Sequence, residues 1–206
     1  MSALSGLRGK IEKKSPQPWR PPVLEDFAEG YVIGVDQSLG ATGVVSLVYY
    51  PGNLTVLEAK VFTTSPPEVG GAGGHEESLN RALELTHSLG EFFCLHAEGR
   101  GAYVVHEAPP VGGGKLYRPE SSLLASLALR TAAWSLDIPV MPMVRPQDHK
   151  RALTGNRNAT KAEVHVALKE LASSLPIKNY EIVTNEAKRD ALSVGMAHLL
   201  RVKSGA

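Results

Sequence analysis

From Tyr31 to Thr64 the chain reads as three β-strands with almost nothing between them, and from there on helix alternates with strand. YVIGVDQSL is a short apolar, β-branched run. GVVSLVYY is a second, closed by Pro51-Gly52-Asn53, and LTVLEAKVFTT alternates apolar with polar side chains. Strands joined so tightly pair as an antiparallel meander. A glycine-rich loop, SPPEVGGAGGHEE, follows. Leu79, Ala82, Leu83, Leu85, Leu89 and Phe93 then recur at helical spacing over 77–98, and AYVVHE is a short buried strand. After a second loop, APPVGGGKLYRP, come an amphipathic helix from Glu120 to Leu136, a strand IPVMPMV, and helices over Gln147–Leu153, Thr160–Leu171 and Asn185–Val202. This order predicts an α/β fold. It has a mixed five-stranded sheet, a three-strand antiparallel meander plus two parallel strands, with helices on both faces. In such sheets, sites gather at the C-terminal ends of the parallel strands.

The 206 residues fit one domain, 31–206, behind a tail, 1–30, whose Arg8, Lys10, Lys13, Lys14 and Arg20 are interspersed with prolines. The tail reads either as a solvated arm or as a basic arm that touches phosphates. Net charge is +1, so nucleic-acid binding would have to come from local patches rather than a basic coat. One cysteine, Cys94, excludes a disulfide framework and a multi-cysteine zinc site. No apolar run approaches the roughly 18 residues of a membrane span. The first residues lack a signal-peptide core, so a soluble, intracellular protein without membrane contact is expected.

Three acids stand out. Asp36 ends the apolar run Val32–Val35, and Glu107 ends the run Ala102–Val105. A buried carboxylate is costly unless it is paired or metal-bound. The alternatives are a turn aspartate capping Ser38 or Gly40 amides, and a sheet-edge salt bridge for Glu107. If the strands pair, Asp36 and Glu107 become neighbours that repel unless a cation or proton lies between them. Asp190 lies on a helix beside the buried stripe and shares a face with Glu186 at i, i+4. Lys188 and Arg189 are poorly placed to pair with it. Oxygen-only ligands suit Mg²⁺ or Mn²⁺, and two such ions about 4 Å apart can activate water and stabilise the leaving oxygen of a phosphodiester.

The segments IGVDQSLGATG, VVHEAPP, HKRALTGNRNATKAEV and RDALSVGMAHL, in that order and spacing, resemble the RuvC family of Holliday junction resolvases, within the RNase H-like (retroviral integrase-like) superfamily. The likeness runs from about Tyr31 to Leu200 and looks more phage-type or divergent than compact. It implies a homodimeric crossover junction endodeoxyribonuclease, acting on four-way DNA with two Mg²⁺ ions (or Mn²⁺) per site and leaving 5′-phosphate and 3′-hydroxyl ends. By the resemblance Asp36, Glu107 and Asp190 are the metal ligands and Lys161 a catalytic lysine. The helix Glu120–Leu136 contributes to the dimer, and the protein works in the bacterial cytoplasm, at the nucleoid or in a phage-infected cell. The family usually carries a second acid or a histidine three residues before the last aspartate, where this chain has Ala187. Either Glu186 reaches the ion instead, or the sequence is an inactivated variant, or the natural protein has lost activity and only binds branched DNA.

The resemblance also covers Lys150 and Lys161, and Arg145, Lys150, Arg151, Arg157 and Lys161 form a cationic cluster against Asp148 alone. Asn158-Ala159-Thr160-Lys161 resembles a helix start, where amides attract phosphate. In the loop after Glu107, Tyr117 between Lys115 and Arg118 can stack on an unpaired base or pack its own loop. Alternation points His106 away from Glu107. His149 is expected to be solvated, His198 packed, Trp134 core, and Cys94 a buried small hydrophobe. Ser38 and Thr42 are expected to order their turn. An actin-like kinase would need a second domain that this length cannot hold.

Overall fold

The computed structural model describes residues 19–64, 74–97, 99–109 and 119–204. Strands β1 (Gly30–Asp36), β2 (Ala41–Tyr50) and β3 (Asn53–Thr63) form the meander. Helix α1 (Gly74–Ala97) follows, then β4 (Tyr103–His106), α2 (Pro119–Trp134), α3 (Pro146–Thr154), α4 (Lys161–Ser174), β5 (Ile177–Lys178) and α5 (Glu186–Ser204). The sheet order is β4-β1-β2-β3-β5, with β4 parallel to β1 and β5 parallel to β3. The architecture expected from the sequence is therefore present, but the fifth strand is a different one. Ile177–Lys178 pairs with β3, whereas IPVMPMV makes only single bridges to β4, at Val104–Val140 and Glu107–Val144. Its two prolines remove ladder donors, which confines that segment to edge contacts.

Strand alternation splits the core into two layers. Val32 of β1, Val45 and Leu47 of β2 and Val105 of β4 face α3, α4 and α5. Ile33, Val35, Val44 and Val104 face α1 and α2. By the same parity Gly34, Asp36 and Glu107 belong to the α5 side, and His106 to the α2 side.

Helix α5 lies unusually close to the strands. A Cβ at Gly34 would collide with the Ala191 carbonyl oxygen and the Gly195 nitrogen. One at Gly43, the residue paired with Asp36, would collide with the Ala187 carbonyl. Ala187, Ala191 and Gly195 recur every four residues, so one stripe of small side chains lets the helix backbone rest on two glycines. This approach brings α5 down onto the end of β1.

Other side chains depart from expectation. Trp134 is 80 % exposed rather than core, because α2 buries the alanine-rich face of Ala125, Ala128, Leu129, Ala132 and Ala133. An apolar surface wider than the underlying layer can cover leaves Leu123, Leu127 and Trp134 outside. Cys94 is exposed on α1, since Phe92 and Phe93 take the inward positions beside it. His149 is buried rather than solvated, whereas His198 is packed, with its ring against Tyr103. Ahead of β1, Phe27 is buried against Tyr49. No helix among the described residues is long and apolar enough to cross a membrane.

Candidate active site

Asp36 closes β1, and Glu107 follows β4 directly, tied to it by a hydrogen bond from the Glu107 amide to the Val35 carbonyl (3.2 Å). The Gln37 side-chain amide donates to the Glu107 carbonyl at 2.6 Å, so both strand ends are held from both sides. The turn amides that Asp36 might have capped are taken by others: Ser38 N donates to Thr42 Oγ1 and Gly40 N to Ser38 Oγ, which is the turn-ordering role expected of that pair. Asp36 is thereby left to face α5.

The two helices opposite are built by their caps. Thr160 and Glu163 form a reciprocal capping box that starts α4 at Lys161. Asn185 Oδ1 accepts from Lys188 N and opens α5 just before Glu186. Lys161 and His165 are one turn apart on α4, as are Glu186 and Asp190 on α5, and the two pairs interlock. Lys161 Nζ donates to Asp190 Oδ2 at 2.7 Å and to Glu186 Oε1 at 3.0 Å. His165 Nε2 donates to Asp190 Oδ1 at 3.0 Å. Both oxygens of the buried Asp190 are thus occupied. Lys188 and Arg189 turn instead to the carbonyls of Ile182, Asn185 and Thr184.

Glu107 and Asp190 line an open cleft of about 300 Å³ with Pro146, His149, Lys150, Lys161 and Val164. Its electrostatics are those of crowded carboxylates. Burial, then the Asp190 charge, pushes Asp36 up to about 6, with Lys161 working against them. Burial, then Asp36 and Asp190, pushes Glu107 up to about 8. Among the described residues, the basic side chain within ion-pair distance of Glu107 is an imidazole. It belongs to His149, whose Nε2 stands 3.7 Å away, and burial holds that imidazole down to about 4, neutral near pH 7. Partial burial opposes the charge on Lys161, but the hydrogen bonds to Asp190 and Glu186 prevail and raise its pKa.

The structure brings together Asp36, Glu107, Asp190, Glu186, Lys161 and Lys150. Arg151 and Arg157 are exposed on α3 and on the turn after it. Lys115, Tyr117 and Arg118 lie outside the described residues. Two members escaped the sequence reading. His165 was readable from its i, i+4 spacing to Lys161, and His149 gave no signal beyond its place beside Lys150. His106 does face the other layer, where Arg130 of α2 donates to its Nε2 at 3.3 Å. Burial, then that guanidinium, holds it down to about 4. Among the described residues no three His, Cys, Asp or Glu side chains are grouped so as to hold a metal ion, and the Lys161 ammonium sits between two of the candidates.

No family model and no curated protein matches the sequence. Solved structures do resemble it. Thermus thermophilus RuvC is 20 % identical, with 85 % of this chain and 96 % of that one covered and a TM-score of 0.65. T. thermophilus RuvC in complex with a Holliday junction substrate is 23 % identical, with the same coverage of 85 % and 96 % and a TM-score of 0.62. The yeast mitochondrial Holliday junction resolvase Ydc2 is 12 % identical, with 88 % of this chain and 83 % of that one covered and a TM-score of 0.57. With its mixed sheet in the order β4-β1-β2-β3-β5, the chain has the RNase H-like fold that these resolvase structures have.

Proposed function

We propose that this protein is a divalent-metal-dependent endonuclease that cuts branched DNA, four-way junctions above all, as a homodimer. The observation that carries the proposal is the convergence of Asp36, Glu107 and Asp190 beside a cleft rimmed by Lys150 and Lys161. Buried acids placed against one another call for a proton or a cation, and the flanking lysines call for an anion such as phosphate.

The donor chemistry suits a hard cation, although among the described residues the acids are not grouped as ligands while the Lys161 ammonium lies between Glu186 and Asp190. Asp36 and Glu107 are raised by burial and by like charge, which a bound cation would relieve, and carboxylate oxygens suit Mg²⁺ or Mn²⁺. Asp36, Glu107 and Asp190 would hold two such ions, with Glu186 within reach of the position that Lys161 now fills. When bound, the ions would supply the activation of water and the charge balance at phosphorus. The chain's own part is to place charge. Lys161, released from Asp190, and Lys150 would neutralise phosphate oxygens as charge develops on them. His165 would keep Asp190 oriented. A twofold dimer suits the two equivalent strands of a four-way junction. The exposed Leu123, Leu127 and Trp134 on α2 provide an apolar surface for a second copy.

One observation favours a second reading, a branched-DNA-binding protein without cleavage. Ala187 packs on Gly43 and offers no ligand where the similar family carries one. The test is nicking of a labelled synthetic four-way junction, with linear duplex as control, in Mg²⁺, Mn²⁺ and EDTA, by this chain and by Ala187→Asp and Ala187→His. Cleavage by the unaltered chain in metal alone supports the nuclease. Cleavage only by a variant makes Ala187 the lesion. Tight binding with no cleavage by any of them leaves the binding protein.

A further inference from the structure

Glu107 stands just past the end of β4, and the backbone around it is tied at several points. Its amide donates to the Val35 carbonyl at 3.2 Å, and the Ala108 amide donates to the Val144 carbonyl at 2.8 Å. Val144 N donates in turn to the His106 carbonyl at 2.9 Å. These bonds join backbones, and no side-chain substitution removes them. Two side chains complete the frame. Gln37 Nε2 donates to the Glu107 carbonyl at 2.6 Å, and Arg130 Nη2 donates to His106 Nε2 at 3.3 Å.

Both side chains connect this stretch to α2. Gln37 Nε2 also stands 3.5 Å from Ser126 Oγ, and Ser126 and Arg130 are one turn apart on that helix. The two contacts form a polar strip along the edge of the buried face of Ala125, Ala128 and Leu129. Polar groups are out of place there. His106 is fully buried in the layer of Ile33, Val35 and Val104. Gln37 Oε1 is buried and has no hydrogen-bond partner among the described residues. A buried acceptor left unpaired lowers stability, and packing alone would favour apolar side chains at both positions. What the strip does achieve is to hold Glu107 twice, at its own carbonyl and at the residue before it.

We propose that Gln37 and Arg130 are positioning residues, which tie the end of β4 to α2 so that the Glu107 carboxylate is held where a divalent cation can use it. This rests on the metal-dependent reading of the cleft and adds to it a support from the α2 side of the sheet. Each residue acts through Glu107, as the partners of a metal ligand do.

The experiment is urea unfolding of the full chain without DNA, followed by circular dichroism, in EDTA and across a Mg²⁺ series. The rise of stability with Mg²⁺ gives the affinity of the folded state for the ion, referred to each protein's own stability in EDTA. The parent is compared with Gln37→Met and Arg130→Met, which keep length and remove the donors. His96→Leu is the control, because it breaks the 2.6 Å contact between α1 and Glu58 of β3, away from Glu107. Gln37→Met should keep the urea midpoint of the parent in EDTA or raise it, since it removes the unpaired oxygen. Both Met variants should need about tenfold more Mg²⁺ for the same stabilisation, the low end of what lost support of a metal ligand costs. Junction nicking should show the same shift in the Mg²⁺ requirement, with the rate at saturating metal within about threefold of the parent. His96→Leu should lower the midpoint and leave the Mg²⁺ requirement unchanged. A Mg²⁺ requirement within about twofold of the parent in both Met variants overturns the proposal. So does an equal rise in His96→Leu, because general loosening would then explain the effect. A parent that Mg²⁺ neither stabilises nor enables to cut refutes the metal-dependent reading, and the proposal falls with it. Variants that match a responsive parent refute the proposal alone.

Discussion

Replacing Glu107 with glutamine should make the protein more stable while destroying its proposed activity. In the folded chain this carboxyl is raised to about 8, from an ordinary value of 4.5, by burial and by Asp36 and Asp190. Between those two values the folded state holds a proton that the unfolded chain has released, so stability falls as pH rises through the window. From 4.5 up to pH 7 the window spans about 2.5 pH units, or about 3 kcal/mol at about 1.36 kcal/mol per pH unit for the one proton. The cleft is open to water on one side, and screening brings the expected figure to about 2 kcal/mol. Glutamine has the same shape and can still donate a hydrogen bond to Asp36, but it has no proton to lose. The Glu107→Gln protein should therefore gain about 2 kcal/mol at pH 7 in EDTA, roughly 4–8 °C in Tm for a chain of this size. The gain should vanish near pH 4.5, where the native carboxyl is neutral in the folded state. Mg²⁺ should narrow the gap at pH 7 by stabilising the native protein more than the variant. Urea unfolding followed by circular dichroism at several pH values, in EDTA and in Mg²⁺, measures all of this. A variant no more stable than the native chain at pH 7–8 in EDTA would refute the crowded-carboxylate account of the site.

The other predictions separate the site from the scaffold. Lys161→Met should reduce junction cleavage by at least about 100-fold. It should cost no more than about 1 kcal/mol in urea unfolding, because the side chain is largely exposed and its ion pairs are screened. His165→Ala should raise the Mg²⁺ concentration needed for half-maximal cleavage while leaving the rate at saturating metal within about threefold, since the imidazole acts through its hydrogen bond to Asp190. An unchanged Mg²⁺ requirement would remove His165 from the positioning role. Gly43→Ala should cost about 3 kcal/mol by driving β2 against the Ala187 carbonyl. Gly90→Ala, inside α1 with open space around it, should instead gain up to about 1 kcal/mol. Equal effects of the two glycine replacements in thermal melts would mean that α5 does not rest on the sheet as described.

The strands and helices were legible because each carries its own period, and the first meander is nearly self-specifying. What the sequence could not fix was which apolar surface would be covered. Helix α2 is apolar on more than one side, and only packing against α1 and the sheet decides that Ala125, Ala128 and Leu129 go inside and Trp134 stays out. IPVMPMV has strand composition, but its prolines leave too few donors for a ladder. Ile177–Lys178, only two residues long, takes the free edge of β3 with no composition signal of its own. Edge positions are settled by what remains unpaired after the core has formed, and that information is not local.

The candidate site divides along the same line. Asp36 and Glu107 could be read in the sequence because a charge at the end of an apolar run is anomalous under any fold, and parity then places both on one side of the sheet. Asp190 could be read only as far as its helix face. Its partners Lys161 and His165 come from α4, and the α4–α5 interlock depends on how far α5 sinks toward β1 and β2. That depth is set by Gly34 and Gly43 meeting Ala187, Ala191 and Gly195. Larger side chains along either track would lift the helix and withdraw Asp190 from the strand-borne acids without changing a single acid or base. The geometry of the carboxylate cluster is therefore encoded in residues that carry no chemistry. Ala187 belongs to that track as well as to the expected ligand position. A side chain long enough to reach an ion from there must also pass the backbone of Gly43, so Ala187→Asp and Ala187→His test packing and ligation together. Melting each variant alongside the cleavage assay separates the two: lost stability with no gain in cleavage assigns position 187 to the scaffold.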